Sequence, residues 1–127
     1  MKELKLVIQI HCPTKDIIDF CLDPKNTPKW IHSIVIEQTN EWPPRVGTIY
    51  RNQNINGVWS EYKVVTFKED MFELLSTTST YHVRYTLRPL DTVTSELEYF
   101  EWMEEGELAQ PFTLDILKKL KTVLEQR

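Results

Sequence analysis

Apolar positions recur along this chain with two different periods, and the switches between them lay out its elements. From Leu4 to His11 they alternate, with Leu4, Leu6, Ile8 and Ile10 against Lys5, Val7, Gln9 and His11, which predicts a strand with one face in a core. Pro13 ends it. Thr14 suits the cap of a short helix that would bury Ile17, Ile18, Phe20 and Cys21. Asp23-Pro24 and Thr27-Pro28 each pair a capping residue with a proline suited to the first helical position. The spacing therefore predicts two short helices in a V, the second ending near Trp30-Ile31.

The β-branched run Ile34-Val35-Ile36 within Ser33–Thr39 predicts a second strand, and Trp42-Pro43-Pro44 a loop. Asn56-Gly57 reads as a two-residue hairpin turn, because such turns need positive φ at both positions. Ile55 then opposes Val58. In that register Ile49, Arg51, Gln53 and Ile55 share a face with Val58, Ser60, Tyr62 and Val64, while Tyr50, Asn52 and Asn54 join Trp59, Glu61, Lys63 and Val65. The first set is the more aliphatic and is expected to point inward.

Lys68-Glu69-Asp70 marks a turn before a short strand near Met71 to Ser76. Two long strands follow, Thr80–Arg88 and Val93–Trp102, joined through Leu90–Thr92. The expected pairs on a concave face are Tyr81 with Glu101, Val83 with Tyr99, Tyr85 with Leu97 and Leu87 with Ser95. On the other face Arg84 opposes Glu98, Thr86 opposes Glu96 and His82 opposes Phe100. A slip of one residue would set Tyr85 against a glutamate and destroy the apolar face.

The final segment, Pro111–Arg127, changes to helical period. Stepping 100° per residue from Ile116 gathers Phe112, Leu117, Leu120, Val123 and Leu124 into one arc, with Leu114 the apolar exception. Pro111 fits the first helical position, and a helix of this extent would be roughly 25 Å long. The order is strand, two short helices, six strands, one long helix, in a single domain over residues 1–127. Such an order makes an α+β chain in which a curved antiparallel sheet buries the helix stripe.

Composition narrows the function classes. A net charge of −4 and a pI near 5.4 argue against a nucleic-acid binder, which needs clustered Lys and Arg for phosphates. Lys118, Lys119 and Lys121 read instead as the solvated side of the last helix. No apolar run has the length of a spanning helix, and the run after Lys2 and Lys5 is broken at Gln9 and His11, so no targeting segment is expected. Two cysteines, Cys12 and Cys21, suit a reducing cytoplasm. Three glycines cannot build a phosphate-binding loop or a dinucleotide fingerprint. No cofactor is expected. His11, Cys12, His32 and His82 do not converge on a metal site, since neighbours on a strand point to opposite faces.

The aromatic set carries more. Tyr62, Tyr81, Tyr85, Tyr99 and Trp30 are expected to face inward, either as plain core or as the walls of a pocket. With Arg51, Gln53, Ser60 and Glu101 on the same faces, and Leu120 on the helix, they make an apolar wall with a few convergent polar groups, as small-molecule sites have. The candidate ligand-binding residues are thus Trp30, Arg51, Tyr62, Tyr81, Tyr85, Tyr99, Glu101 and Leu120. Arg51 and Glu101 also read as charges snorkelling from the sheet rim. No catalytic residue is assigned.

The stretches IQIHCPTKDIIDFCLDPKNTPKWIHSI (8–34), VGTIY (46–50), YTLRPLDTVTSELEYFEW (85–102) and the terminal helix resemble the helix-grip superfamily of START domains, the birch-pollen allergen and polyketide cyclases, often called SRPBCC. The resemblance covers nearly the whole chain through short structural motifs. It implies a seven-stranded antiparallel sheet wrapped around a long C-terminal helix, with a cavity for an apolar ligand between them. A cochaperone-like branch usually has Gly-Trp before its last helix, where this chain has Ala109-Gln110-Pro111-Phe112. The expected function is binding of a small, largely apolar molecule such as a lipid, polyketide or aromatic compound. A cyclase or dehydratase, and a cochaperone-like interaction module with a filled interior, are the alternatives.

Overall fold

A computed structural model describes all 127 residues. Its elements are β1 (Glu3–Ile10), α1 (Thr14–Leu22), α2 (Thr27–Trp30), β2 (Ile34–Thr39), β3 (Ile49–Asn54), β4 (Trp59–Lys68), β5 (Met71–Ser76), β6 (Tyr81–Asp91), β7 (Thr94–Met103) and α3 (Leu114–Glu125). The strands form one antiparallel sheet in the order β1-β7-β6-β5-β4-β3-β2. Strands β2 to β7 therefore meander, each beside its sequence neighbour, while β1 joins the far edge. The segment 11–33 connects the two edge strands. It must cross the concave side, so α1 and α2 cover one end of the sheet.

The stripe on α3 is buried as its period demands: Leu117 and Leu120 are fully enclosed, Leu124 nearly so, and Leu114 is the exposed exception. These leucines meet Ile10, Ile17, Trp30, Phe72, Tyr85 and Leu97 in one core. Truncating any of the three to alanine is expected to cost about 2–5 kcal/mol. The helix is shorter than its periodicity suggests, twelve residues and about 18 Å. Thr113 caps it, its hydroxyl accepting from the Ile116 N–H, so Pro111 and Phe112 lie in the approach rather than in the first turn. At α1 the cap position falls to Pro13, and the Thr14 hydroxyl instead pairs with Ser95 at 3.0 Å.

Two hairpins differ from expectation. No residue other than glycine has positive φ, so Asn56 cannot take the two-residue turn. The loop is Ile55-Asn56-Gly57, with Gly57 at φ +80° and the Asn54 side chain accepting from the Asn56 and Val58 N–H groups. The pairing becomes Tyr50 with Tyr62 and Arg51 with Glu61, one residue from the expected register. Tyr62 and Val64 stay inward on β4, but on β3 it is Tyr50 and Asn52 that face the interior, and Arg51 turns outward. Between β6 and β7 the turn is Thr92-Val93, with a bulge before Asp91. The facing is as expected, yet the partners move along by one pair: Tyr85 meets Tyr99, Leu87 meets Leu97 and Val83 meets Glu101. No helix is long and apolar enough to cross a membrane.

Candidate functional site: a tyrosine-walled cavity

Alternating inward positions on six consecutive strands converge on a cavity of about 100 Å³. β2 contributes Ile34 and Glu37, β3 Tyr50 and Asn52, and β4 Tyr62. Leu74 comes from β5, Tyr81, Val83 and Tyr85 from β6, and Tyr99 from β7, with Ile31 and Phe112 closing the wall. Ile31, Ile34, Asn52, Tyr62, Tyr81 and Phe112 also line a wider mouth of about 820 Å³, rimmed by Ser60, the 76–79 turn, Glu107, Ala109 and Gln110. A second large groove of about 980 Å³ lies between α1 and the turns at 67–70 and 89–92. Most of its lining residues are polar or charged, and it shares none of them with the tyrosine cavity.

Four of the candidate residues, Tyr62, Tyr81, Tyr85 and Tyr99, thus meet in one place. Trp30 sits one layer behind them, edge-on to Tyr85 at 6.4 Å and to Phe112 at 6.0 Å. Its indole N–H is the one enclosed side-chain polar atom without a partner. Leu120 belongs to the packed core under α3 and does not reach the cavity. Arg51 lies at the lip of the mouth on the outward side of β3, its guanidinium 5.0 Å from the Trp59 ring and 3.9 Å from the Glu61 carboxylate.

Glu101 is not a rim charge, being 1% exposed. One carboxylate oxygen accepts from the Tyr81 hydroxyl at 2.8 Å and from the Tyr99 hydroxyl, and the other accepts from the Phe112 N–H at 3.0 Å. It lies beneath the cavity wall, and its bonds hold two tyrosines and the strand leading into α3. Phe112 is seated by the same contact, its ring stacked on Tyr99 at 4.3 Å. Burial, with Glu101 adding to it, pushes both phenols well above their ordinary range, so Tyr81 and Tyr99 act as hydrogen-bond donors and not as bases. The Tyr50 hydroxyl is committed to the Leu22 carbonyl at 2.7 Å.

The carboxylate that does line the cavity is Glu37, which the sequence alone did not single out. One oxygen accepts from the Thr27 hydroxyl at 2.6 Å and the other from the Asn52 amide at 3.3 Å. Burial pushes its carboxyl up to about 7, against the opposing pull of those two hydrogen bonds. The reason it faces inward is a bulge in β2 between Ile34 and Ile36. The extra residue turns both Val35 and Ile36 to solvent, at 46% and 44% exposure, and returns Glu37 to the side of Ile34. Cys12 and Cys21 are unpaired and buried, and burial raises both thiols.

No protein-family model matches the chain, and no curated protein sequence does. Solved structures do. A START superfamily protein from Mycobacterium smegmatis superposes with a TM-score of 0.77 at 16% identity, over 99% of each chain. The Aha1 dimer from Colwellia psychrerythraea gives 0.71 at 14% identity, over 98% of this chain and 97% of that one. Ara h 8.0201 gives 0.68 at 14% identity, over 98% of both. Seven antiparallel strands closed over a C-terminal helix, matched end to end by these three, give this chain the α+β helix-grip fold of START and birch-pollen-allergen-like domains.

Proposed function

We propose that the protein binds one small, largely apolar molecule in the chamber between the sheet and α3. The cavity supports this reading most directly: about 100 Å³, with ten of its twelve lining residues hydrophobic, adjoining an open mouth. Protein interiors pack to crystal density and leave few voids larger than a water. A space several times that size, walled by large rings, suits an occupant. Since an apolar cavity of about 150 Å³ takes a benzene, this smaller one takes a compact branched group or part of one ring, with the rest of the ligand in the mouth. A lipid or polyketide would place only one end inside. The two unpaired cysteines fit a cytoplasmic setting.

An enzymatic reading, of cyclase or dehydratase type, draws its support from Glu37. A carboxyl titrating near neutrality among tyrosines is suited to proton transfer. The interaction-module reading calls for a filled interior, which the cavity does not favour. The test is a thermal-shift screen of toluene, phenol, flavonoids, sterols and fatty acids against the wild type and Leu74→Trp, whose indole would occupy the cavity. A ligand bound only to the folded state stabilises it by about 2.7 kcal/mol at a hundredfold excess over Kd, a rise of several degrees. The variant should lose that rise while remaining folded. No shift with any compound would overturn the reading.

A further inference from the structure

The cavity wall is unusual in its charge as well as its shape. Six of its twelve residues are aromatic, namely Tyr50, Tyr62, Tyr81, Tyr85, Tyr99 and Phe112, and none is Lys, Arg or His. Glu37 stands among them with only Thr27 and Asn52 as partners. Behind the opposite wall is Glu101, satisfied by two tyrosines and a backbone N–H, again with no cation. Burial raises the phenols of Tyr62 and Tyr85, and both carboxylates add to this through space. A half-buried carboxyl, a fully enclosed one and a cage of aromatic rings give the space a negative character, with no Lys, Arg or His in its lining.

We infer that the cavity is a receptor for a methylated ammonium group, held by the ring cage and by the Glu37 carboxylate; this rests on the reading that the cavity binds a ligand. A cation over aromatic faces is attracted by the ring quadrupoles, most strongly where water is excluded. Size agrees: scaled from a cavity that takes benzene, about 100 Å³ accommodates about four non-hydrogen atoms, the content of a trimethylammonium head. The hydrogen-bonding pattern agrees too. Each Glu37 oxygen already accepts one hydrogen bond, so the site offers charge and ring faces, which a methylated ammonium needs, rather than the several open acceptors a primary ammonium needs. The hydroxyl-rich mouth, with Ser60 and the 76–79 turn, takes the rest of the ligand.

Thr27 of α2 and Asn52 of β3 are bonded to Glu37, Tyr50 of β3, Tyr62 of β4 and Tyr85 of β6 line the cavity with it, and Cys21 of α1 acts on it through space, none of them cationic. A bound cation favours the ionised carboxyl, so affinity should rise with pH up to about 7 and level off above it.

The matched probes are choline and its neutral carbon isostere, 3,3-dimethylbutan-1-ol, titrated calorimetrically into the full chain at pH 6 and pH 8. Choline should bind at least tenfold more tightly than the alcohol at pH 8 and lose about tenfold at pH 6, while the alcohol is indifferent to pH. Glu37→Gln, checked for fold by its amide NMR spectrum, should bring choline to the affinity of the alcohol and remove the pH effect. Equal binding of the two probes by the wild type, or a preference for the alcohol, overturns the cation receptor and leaves the ligand-binding reading standing. Binding of neither, together with no shift in the apolar screen, overturns both.

Discussion

Glu37 and Glu101 meet the same tyrosines from different surroundings, and single substitutions should separate them. The folded-state value of Glu37, about 7, stands above the ordinary carboxyl value of 4.5. The folded protein therefore keeps this proton over a window in which the unfolded chain has released it. Stability from this group is full below about 4.5, falls as pH rises towards about 7 by roughly 3 kcal/mol in total, and is level above. In urea melts, the stability of Glu37→Gln relative to wild type should climb by about that amount across the same window; a constant difference from pH 4.5 to 8 would contradict it. Glu101→Gln should behave otherwise. Its carbonyl can accept from Tyr81 and Tyr99, but its amide then meets the Phe112 N–H, donor against donor. We expect a loss of about 1–3 kcal/mol and faster hydrogen exchange at the Phe112 amide. Unchanged exchange would detach Glu101 from the docking of that segment.

Elements with a strong apolar rhythm were legible, and those without it were not. The inward sides of β1, β6, β7 and α3 follow from alternating or helical positions, because misplacing Tyr85 or Leu97 would bury glutamates. On β3 the run Arg51-Asn52-Gln53-Asn54 offers no such penalty, so the turn decides the facing. One extra loop residue was enough to reverse it and to send Arg51 outward. Glu37 stayed hidden for a related reason: a bulge, which period-two reasoning does not contain, turned Ile36 out and the glutamate in. The outer face of β6 held a second surprise. Arg84 donates to the buried Glu73 at 3.0 Å and lies 5.0 Å from the Trp102 ring, while His82 approaches the other Glu73 oxygen at 3.0 Å. Arg84→Ala should therefore cost about 1–3 kcal/mol, more than a surface charge would. Val83→Asp, opposite Glu101 and enclosed, should cost several kcal/mol or prevent folding. A value near zero for Arg84→Ala would mean that Glu73 is held by His82 alone.

At the scale of the whole molecule the chamber is a liability as well as a site. An unfilled volume of about 100 Å³ corresponds to roughly 2 kcal/mol of forgone stability. Leu74→Trp should then raise the melting temperature of the ligand-free protein while abolishing the response to ligands, a trade between stability and binding. A lower melting temperature would show that the walls cannot move aside for the larger ring. The pairing of β1 with β7 has a consequence in time. Leu6 lies beside Tyr99 and Ile8 beside Leu97, so the first strand closes onto the last strand of the sheet. Neighbouring pairs from β2 to β7 can form as they emerge, but β1 must wait, its apolar face uncovered, until β7 has left the ribosome. Contacts of such long sequence separation slow folding. In pulsed hydrogen-exchange labelling during refolding, the amides of β4, β5 and β6 should gain protection before those of β1. Simultaneous protection would place the closing of the two ends inside the folding nucleus; protection of β1 in a late phase would make sealing of the chamber the final event in the life of the nascent protein.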